Sequence, residues 1–204
     1  MKIFEAWNAR GMEVIDPCSG SLWLQVEDQR RIEAGSFYNS GPWVPPEFKI
    51  ERNPLPDDEV EFYLPSKVSA MLGRYLILRD QAISSISHLL EPYGELLPLA
   101  CGEAELMLWW PRMVVDCLID DVNEAGELLW SIDNERVLMI QEPEFDPQRV
   151  PDCGAFVLPQ PKYPSLVWFT EELVEKLLAT GNTAGIRFRE AWDSEKNSFK
   201  KSIK

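Results

Sequence analysis

The stretch Ser165-Leu-Val-Trp-Phe-Thr-Glu-Glu-Leu-Val-Glu-Lys-Leu-Leu-Ala-Thr-Gly181, followed after three residues by Gly185-Ile-Arg-Phe-Arg-Glu-Ala-Trp192, sets the fold class. Residues 166–169 are a short unbroken apolar run, the pattern of a strand buried on both faces. Thr170 stands where a helix N-cap belongs, and Glu171 and Glu172 favour the positive end of the helix dipole. Leu173, Val174, Leu177 and Leu178 recur at helical spacing and predict one buried stripe. Gly181 is placed to end that helix in a left-handed cap. From Gly185 to Trp192 apolar and polar residues alternate, so the chain leaves the helix as a half-buried strand.

Working outward, residues 75–79 read as a buried strand ending at Asp80, a second N-cap candidate. Ile83, Ile86 and Leu90 then form one helix face, which Pro92 and Gly94 stop. His88, the only histidine, points roughly 200° from Ile86 on the helical wheel and is expected in solvent. Residues 95–100 and 105–110 predict a hairpin around Cys101-Gly102-Glu103. Residues 2–9, 114–119, 136–141 and 155–158 are further strand candidates. Residues 16–58 read as irregular, with Gly35, Gly41, Pro42 and the pairs Pro45-Pro46 and Pro54/Pro56 among the aromatics Trp23, Phe37, Tyr38, Trp43 and Phe48. Such rings pin a loop layer onto a core, or line a groove for a small ligand. The strands often follow one another without an intervening helix. That predicts an α+β fold with a mixed, mainly antiparallel sheet, two or three short helices and long Pro-rich loops. Residues 1–192 are expected as one domain, a loop-rich layer over 1–58 and an α+β core over 59–192, followed by a basic tail over 193–204.

Composition agrees with a globular chain: of 204 residues, 45% are hydrophobic and 26% charged, which excludes a disordered or collagen-like polymer. No apolar run approaches the ~20 residues of a membrane span, and the N-terminus lacks the apolar stretch of a secretory signal. A cytoplasmic protein is expected. Cys18, Cys101, Cys117 and Cys153 show no zinc-site spacing and read as small buried hydrophobes in a reducing compartment.

Charge is unevenly placed. Residues 1–79 carry a net −3, residues 80–175 a net −15 and residues 176–204 a net +4. An acidic field of this kind repels phosphate backbones and anionic lipid, and it attracts a basic partner. Neither nucleic acid nor a membrane is an expected partner.

Nucleotide-binding glycine loops, the GxSxG elbow and the HExxH zinc motif are all absent from the sequence. The remaining constellation is carboxylate. Glu142, Glu144 and Asp146 alternate along a strand-like run and project from one face, and Asp116, Asp120, Asp121 and Glu124 add to them. A partner-binding surface is the expected use of this set, with carboxylates steering a basic protein and nearby aromatics as buried anchors. Trp109, Trp110, Trp130 and Phe145 are the anchor candidates. Strand alternation puts one of Trp109 and Trp110 inside and one outside; Trp110 is assigned to the binding surface. Two alternatives stay open: a metal-dependent enzyme using Asp116, Asp120, Glu142 and Glu144 as oxygen ligands, and a ligand or adaptor module built on the aromatic loops of residues 23–48.

The ending quoted above resembles that of a bacterial immunity-protein family associated with polymorphic toxin systems. Members show a hydrophobic strand closing on Thr-Asp or Thr-Glu, a short helix, a glycine pair and an aromatic strand ending in Trp. Upstream, Leu55-Pro56-Asp57 is similar to the family's Leu-Pro-Asp turn. Residues 76–80 and 95–99 are similar to its strands around the first helix, and Val114-Val115-Asp116 with Ser131 to its central stretch. The resemblance covers roughly residues 50–192. It implies a cytoplasmic antidote with no enzymatic activity and no cofactor. Its partner is a cognate toxin, basic in character, whose active site or substrate path it covers.

Overall fold

The structure is a computed structural model, and it describes residues 1–19, 29–33, 36–39, 41–52, 62–71, 75–120, 128–132, 135–159 and 162–196. Strand β1 (Lys2–Asn8) opens the chain, and residues 2–5 alternate between accessible and buried positions before Ala6 is buried and Trp7 and Asn8 are accessible. Four short strands follow: β2 (Val14–Pro17), β3 (Arg30–Glu33), β4 (Ser36–Asn39) and β5 (Phe48–Glu51). Strands β6 (Val68–Met71) and β7 (Tyr75–Arg79) lead into helix α1 (Gln81–Leu90) and a 3₁₀ turn at Glu91–Tyr93. Then come β8 (Gly94–Leu99), β9 (Leu106–Pro111), β10 (Leu128–Trp130), β11 (Val137–Ile140), β12 (Ala155–Val157) and β13 (Val167–Thr170). Helix α2 (Glu171–Ala179) and strand β14 (Ile186–Asp193) close the described fold.

These strands make two four-stranded sheets, ordered β12-β13-β1-β14 and β6-β7-β9-β8, and three two-stranded ones, β2-β5, β3-β4 and β10-β11. Every named strand pairs antiparallel with its neighbours. The fold is therefore α+β and mainly antiparallel, as the succession of strands predicts. The hairpin expected over 95–110 is present as β8 and β9, paired from Gly94↔Pro111 to Leu99↔Leu106.

Both large sheets contribute buried residues from both faces. Ala6, Val157, Phe169, Leu76, Leu78 and Trp109 meet α1 and α2 in a shared core, which Ala82, Ile86, Leu90, Leu173, Val174 and Leu177 complete. On the far side of the first sheet, Ile3, Phe156, Trp168 and Trp192 are covered by Cys117, Leu118, Val137, Ile140 and Phe145. On the far side of the second, Tyr75, Ile77, Leu108 and Trp110 are covered by Ile15 and Phe48. The described core is thus layered: Ile15 and Phe48 of β2 and β5, second sheet, helices, first sheet, and the covering side chains from Cys117 to Val150.

This layering explains several departures from the sequence reading. Residues 16–58 hold strands β3 and β5, β4 and the end of β2, not an irregular layer alone; strands this short are invisible to a two-residue period, because four positions barely sample it. Trp109 and Trp110 are both buried, since each faces a different core. Val114–Ile119 is no strand; only isolated bridges, Val114↔Val157 and Leu118↔Phe145, tie it to its neighbours. Leu178 is exposed rather than part of the buried stripe of α2. Neither expected N-cap side chain bonds its helix. Thr170 Oγ1 instead accepts from the buried Gly154 N–H at 2.9 Å. Asp80, at φ 48°, accepts from the Glu105 N–H at 3.1 Å. In both cases a strand neighbour reaches the oxygen first. Gly181 does adopt the left-handed conformation, φ 64°, and His88 is exposed on α1. Residues 193–204 are not a tail throughout: Asp193 ends β14 and Ser194–Lys196 is helical, while 197–204 lie outside the described residues. So do Trp23, Gly35 and the Leu55-Pro56-Asp57 turn.

Phe145 holds the outer layer in place. Its ring stands edge-on to Trp168 at 5.2 Å, Trp192 at 5.7 Å and Phe156 at 6.2 Å, geometries that aromatic quadrupoles favour. Phe145→Ala is expected to lower unfolding stability by about 3–5 kcal/mol, whereas Leu178→Ala on the exposed face of α2 should change it by less than about 0.5 kcal/mol. Urea denaturation followed by tryptophan fluorescence measures both. Equal effects would show that residue 145 is not a core position.

Candidate functional site: an acidic end of the first sheet

Antiparallel pairing gathers residues that are far apart in sequence. Lys2 at the start of β1 lies opposite Asp193 at the end of β14, and Ile3 lies opposite Thr170 at the end of β13. Ala155, opening β12, lies opposite Phe169. One end of the sheet therefore presents the entry to β1, the entry to β12, the first turn of α2 and the end of β14.

Two shallow concavities occupy that end. The first, about 210 Å³, is lined by Glu142, Glu144, Glu190 and Asp193 around Trp192 and Lys196. The second, about 280 Å³, is lined by Asp152, Glu171, Glu172 and Glu175 beside Met1. Lys2 stands between them, its Nζ 3.5 Å from Glu190 and 3.8 Å from Glu171. Carboxylates dominate both lips, and the amines present are the chain's own. Lys196 Nζ donates to Glu190 at 2.5 Å and lies 3.6 Å from Asp193. The Met1 ammonium donates to Ser194 Oγ at 3.1 Å. The Lys196 hydrogen bond holds the Glu190 carboxyl below its ordinary pKa. The Glu195 backbone N–H, with Lys196 and Lys2 behind it, does the same for Asp193. The surface already accommodates ammonium groups, which is the chemistry a lysine-rich partner would offer.

The expected site residues divide among several environments. Pro143 and Phe145 point inward, so Glu142, Glu144 and Asp146 do alternate outward. Glu142 and Glu144 line the first concavity, and Glu144 accepts a hydrogen bond from Trp192 Nε1 at 3.3 Å. Asp146 is engaged locally, 3.3 Å from Arg149 Nε and accepting from the Gln148 N–H at 3.0 Å. Asp116 is exposed, and its carbonyl accepts from Arg149 Nη1 at 3.3 Å. Asp120 is half-buried, and Lys162 and Tyr163 both donate to one of its carboxylate oxygens, the tyrosine at 2.5 Å. Asp121 and Glu124 lie outside the described residues. Trp110 cannot serve as an exposed anchor: it is 2% accessible and stacks on Tyr75 at 4.3 Å. Phe145 and Trp109 are likewise core. Among the described residues no three His, Cys, Asp or Glu side chains are grouped to hold a metal ion.

Sequence reasoning missed Asp152, Glu175, Glu190 and Asp193, and it read Glu171 and Glu172 only as helix-end residues. The local signal for them is absent, because each is an ordinary surface acid until strand pairing sets them side by side.

Around Asp120, burial raises the carboxyl's pKa most, yet the hydrogen bonds from Lys162 and Tyr163 together outweigh it and leave the group below its ordinary value. Burial and the adjacent carboxylate push Tyr163 up to about 12. A carboxyl depressed in the folded state adds stability above its unfolded pKa of ~3.9, and that stability is lost as pH falls through the folded value. Asp120→Asn is therefore expected to destabilise the protein by about 1–3 kcal/mol at pH 7. Its deficit relative to the parent should shrink as pH drops below ~4. Urea midpoints at pH 7, 4 and 3 test this; a deficit that stays constant across them would remove the charged hydrogen bonds as the cause. No family model matches the sequence, and none of the curated proteins compared with it is similar.

Proposed function

We propose that this protein is an immunity protein: a cytoplasmic antidote that binds a cognate bacterial toxin through the acidic end of its first sheet and neutralises it by occlusion. The gathering of Glu142, Glu144, Glu190 and Asp193 with Asp152, Glu171, Glu172 and Glu175 on one sheet end carries the reading. Such a surface raises the encounter rate with a basic protein and holds off nucleic acid and anionic lipid. The resemblance of residues 165–192 to immunity proteins supplies the biological role. Among the described residues, no helix is long and apolar enough to cross a membrane. The engagement of Asp120 by Lys162 and Tyr163 favours binding over metal-dependent chemistry, since that carboxylate already has two donors.

Coexpression with the product of each neighbouring reading frame tests the role. One of them should form a stoichiometric complex and lose its toxicity to the host cell; failure of every neighbour to do so would remove the immunity assignment. With that partner, Glu142→Lys/Glu144→Lys should slow association roughly tenfold at low salt and less at high salt. Stopped-flow rates identical to the parent's would place the interface elsewhere.

A further inference from the structure

The β10–β11 hairpin carries an apolar face that the fold leaves uncovered. Leu128 lies opposite Ile140 and Leu129 opposite Met139, but Trp130 lies opposite Val137, so Leu138 is an extra residue in the ladder. Val137 and Ile140 turn into the core beneath the first sheet, with Leu128 and Trp130 packed against it. Leu129, Leu138 and Met139 turn outward and are 54%, 57% and 47% accessible. A regular strand over 137–140 would have alternated. The bulge instead places two consecutive apolar side chains on the solvent side, next to Leu129 across the ladder. Ile132, beyond Trp130, is fully exposed as well. Scattered apolar residues on a surface carry no message, but a contiguous group on a paired hairpin marks a contact surface.

We infer that this hairpin face is the apolar anchor for a basic protein partner, which meets it with a segment presenting apolar side chains between lysines or arginines. The inference rests on the reading of the acidic sheet end as a partner surface and names what that surface recognises. Charge complementarity selects the occupant. The described residues between 128 and 146, which contain the hairpin, hold four carboxylates, Glu135, Glu142, Glu144 and Asp146, and one basic residue, Arg136. Glu142 follows β11 by two residues and lines the first acidic concavity, so the apolar face and the carboxylates are continuous along the chain. A second copy of this protein would bring an equal set of carboxylates, on a chain of net charge −14, against the first. A neutral apolar partner would bury those carboxylates without a counter-charge. A segment with both apolar and cationic side chains satisfies both surfaces. Met139 suits this use because its thioether chain adapts to different neighbours.

The isotope-labelled full chain, titrated with synthetic peptides and followed by amide chemical shifts, tests the inference. A short peptide alternating lysine and valine should shift the resonances of 128–132 and 137–142. Oligolysine of the same length should shift only the residues around the carboxylates and bind roughly tenfold more weakly. Leu138→Ser/Met139→Ser, at exposed positions whose fold is checked by thermal melting, should bind the mixed peptide no better than oligolysine. Undiminished affinity of that variant for the mixed peptide overturns the anchor, as does equal binding of a glutamate–valine peptide. Sedimentation velocity showing a dimer that the same variant dissociates would assign the face to a second copy and also overturns it. Failure of every cationic peptide to bind, oligolysine included, overturns the acidic surface itself. Loss of only the preference for valine overturns the anchor and leaves the acidic surface standing.

Discussion

A sheet with two apolar faces must be covered twice, and the helices among the described residues cover each large sheet only once. Both α1 and α2 lie in the core between the two sheets. The outer face of the first sheet, with Ile3, Phe156, Trp168 and Trp192, falls to residues 113–150, which hold no helix among the described residues. Phe145 is the plug of that arrangement, edge-on to three aromatic rings. Burying a large aromatic side chain is worth a few kcal/mol, enough to fix the register of an otherwise irregular segment. The backbone follows: the Ile119 N–H donates to Glu144 O and the Asp146 N–H to Cys117 O, each at 2.8 Å.

The acidic character of the surface is a consequence of that plug. With Pro143 and Phe145 inward, Glu142, Glu144 and Asp146 lie on the outer side of the segment. Glu142 and Glu144 then meet Glu190 and Asp193 of β14, and Lys2 links this group to the acids at the start of α2. Ion pairs on so exposed a surface contribute little to stability. Their weight lies in steering and recognition, because long-range attraction acts before any contact forms. The hairpin adds the complementary property. Its apolar face offers the non-directional, short-range attraction that charge alone does not supply in salt water.

The sequence was most legible where an element is long enough to show its period. The strand–helix–strand of 166–192, helix α1 and the β8–β9 hairpin are all where periodicity puts them. It was least legible in four-residue strands such as β2 and β5, and in choices among competing hydrogen-bond partners. Thr170 has the residue type and position of a cap, yet the N–H of Gly154, just before β12, takes its hydroxyl. Trp110 has the position of a surface anchor on a one-sided sheet, yet a second layer containing Ile15 and Phe48 covers it. Asp120 belongs to the most acidic part of the sequence, yet Lys162 and the buried Tyr163, more than forty residues later, both donate to it.

Taken alone, the sequence determined the α+β class, the antiparallel character, two helices and the acidity of the middle of the chain, because these depend on local pattern and on composition. Which carboxylates share a surface was decided by tertiary structure. Glu171 and Glu190 become neighbours of Lys2, and Glu142 shares a concavity with Glu190, only through the pairing of β1 with β13 and β14 and the seating of Phe145. Strand partners separated by more than a hundred residues leave no trace in a local period, since their choice rests on the fit of whole faces.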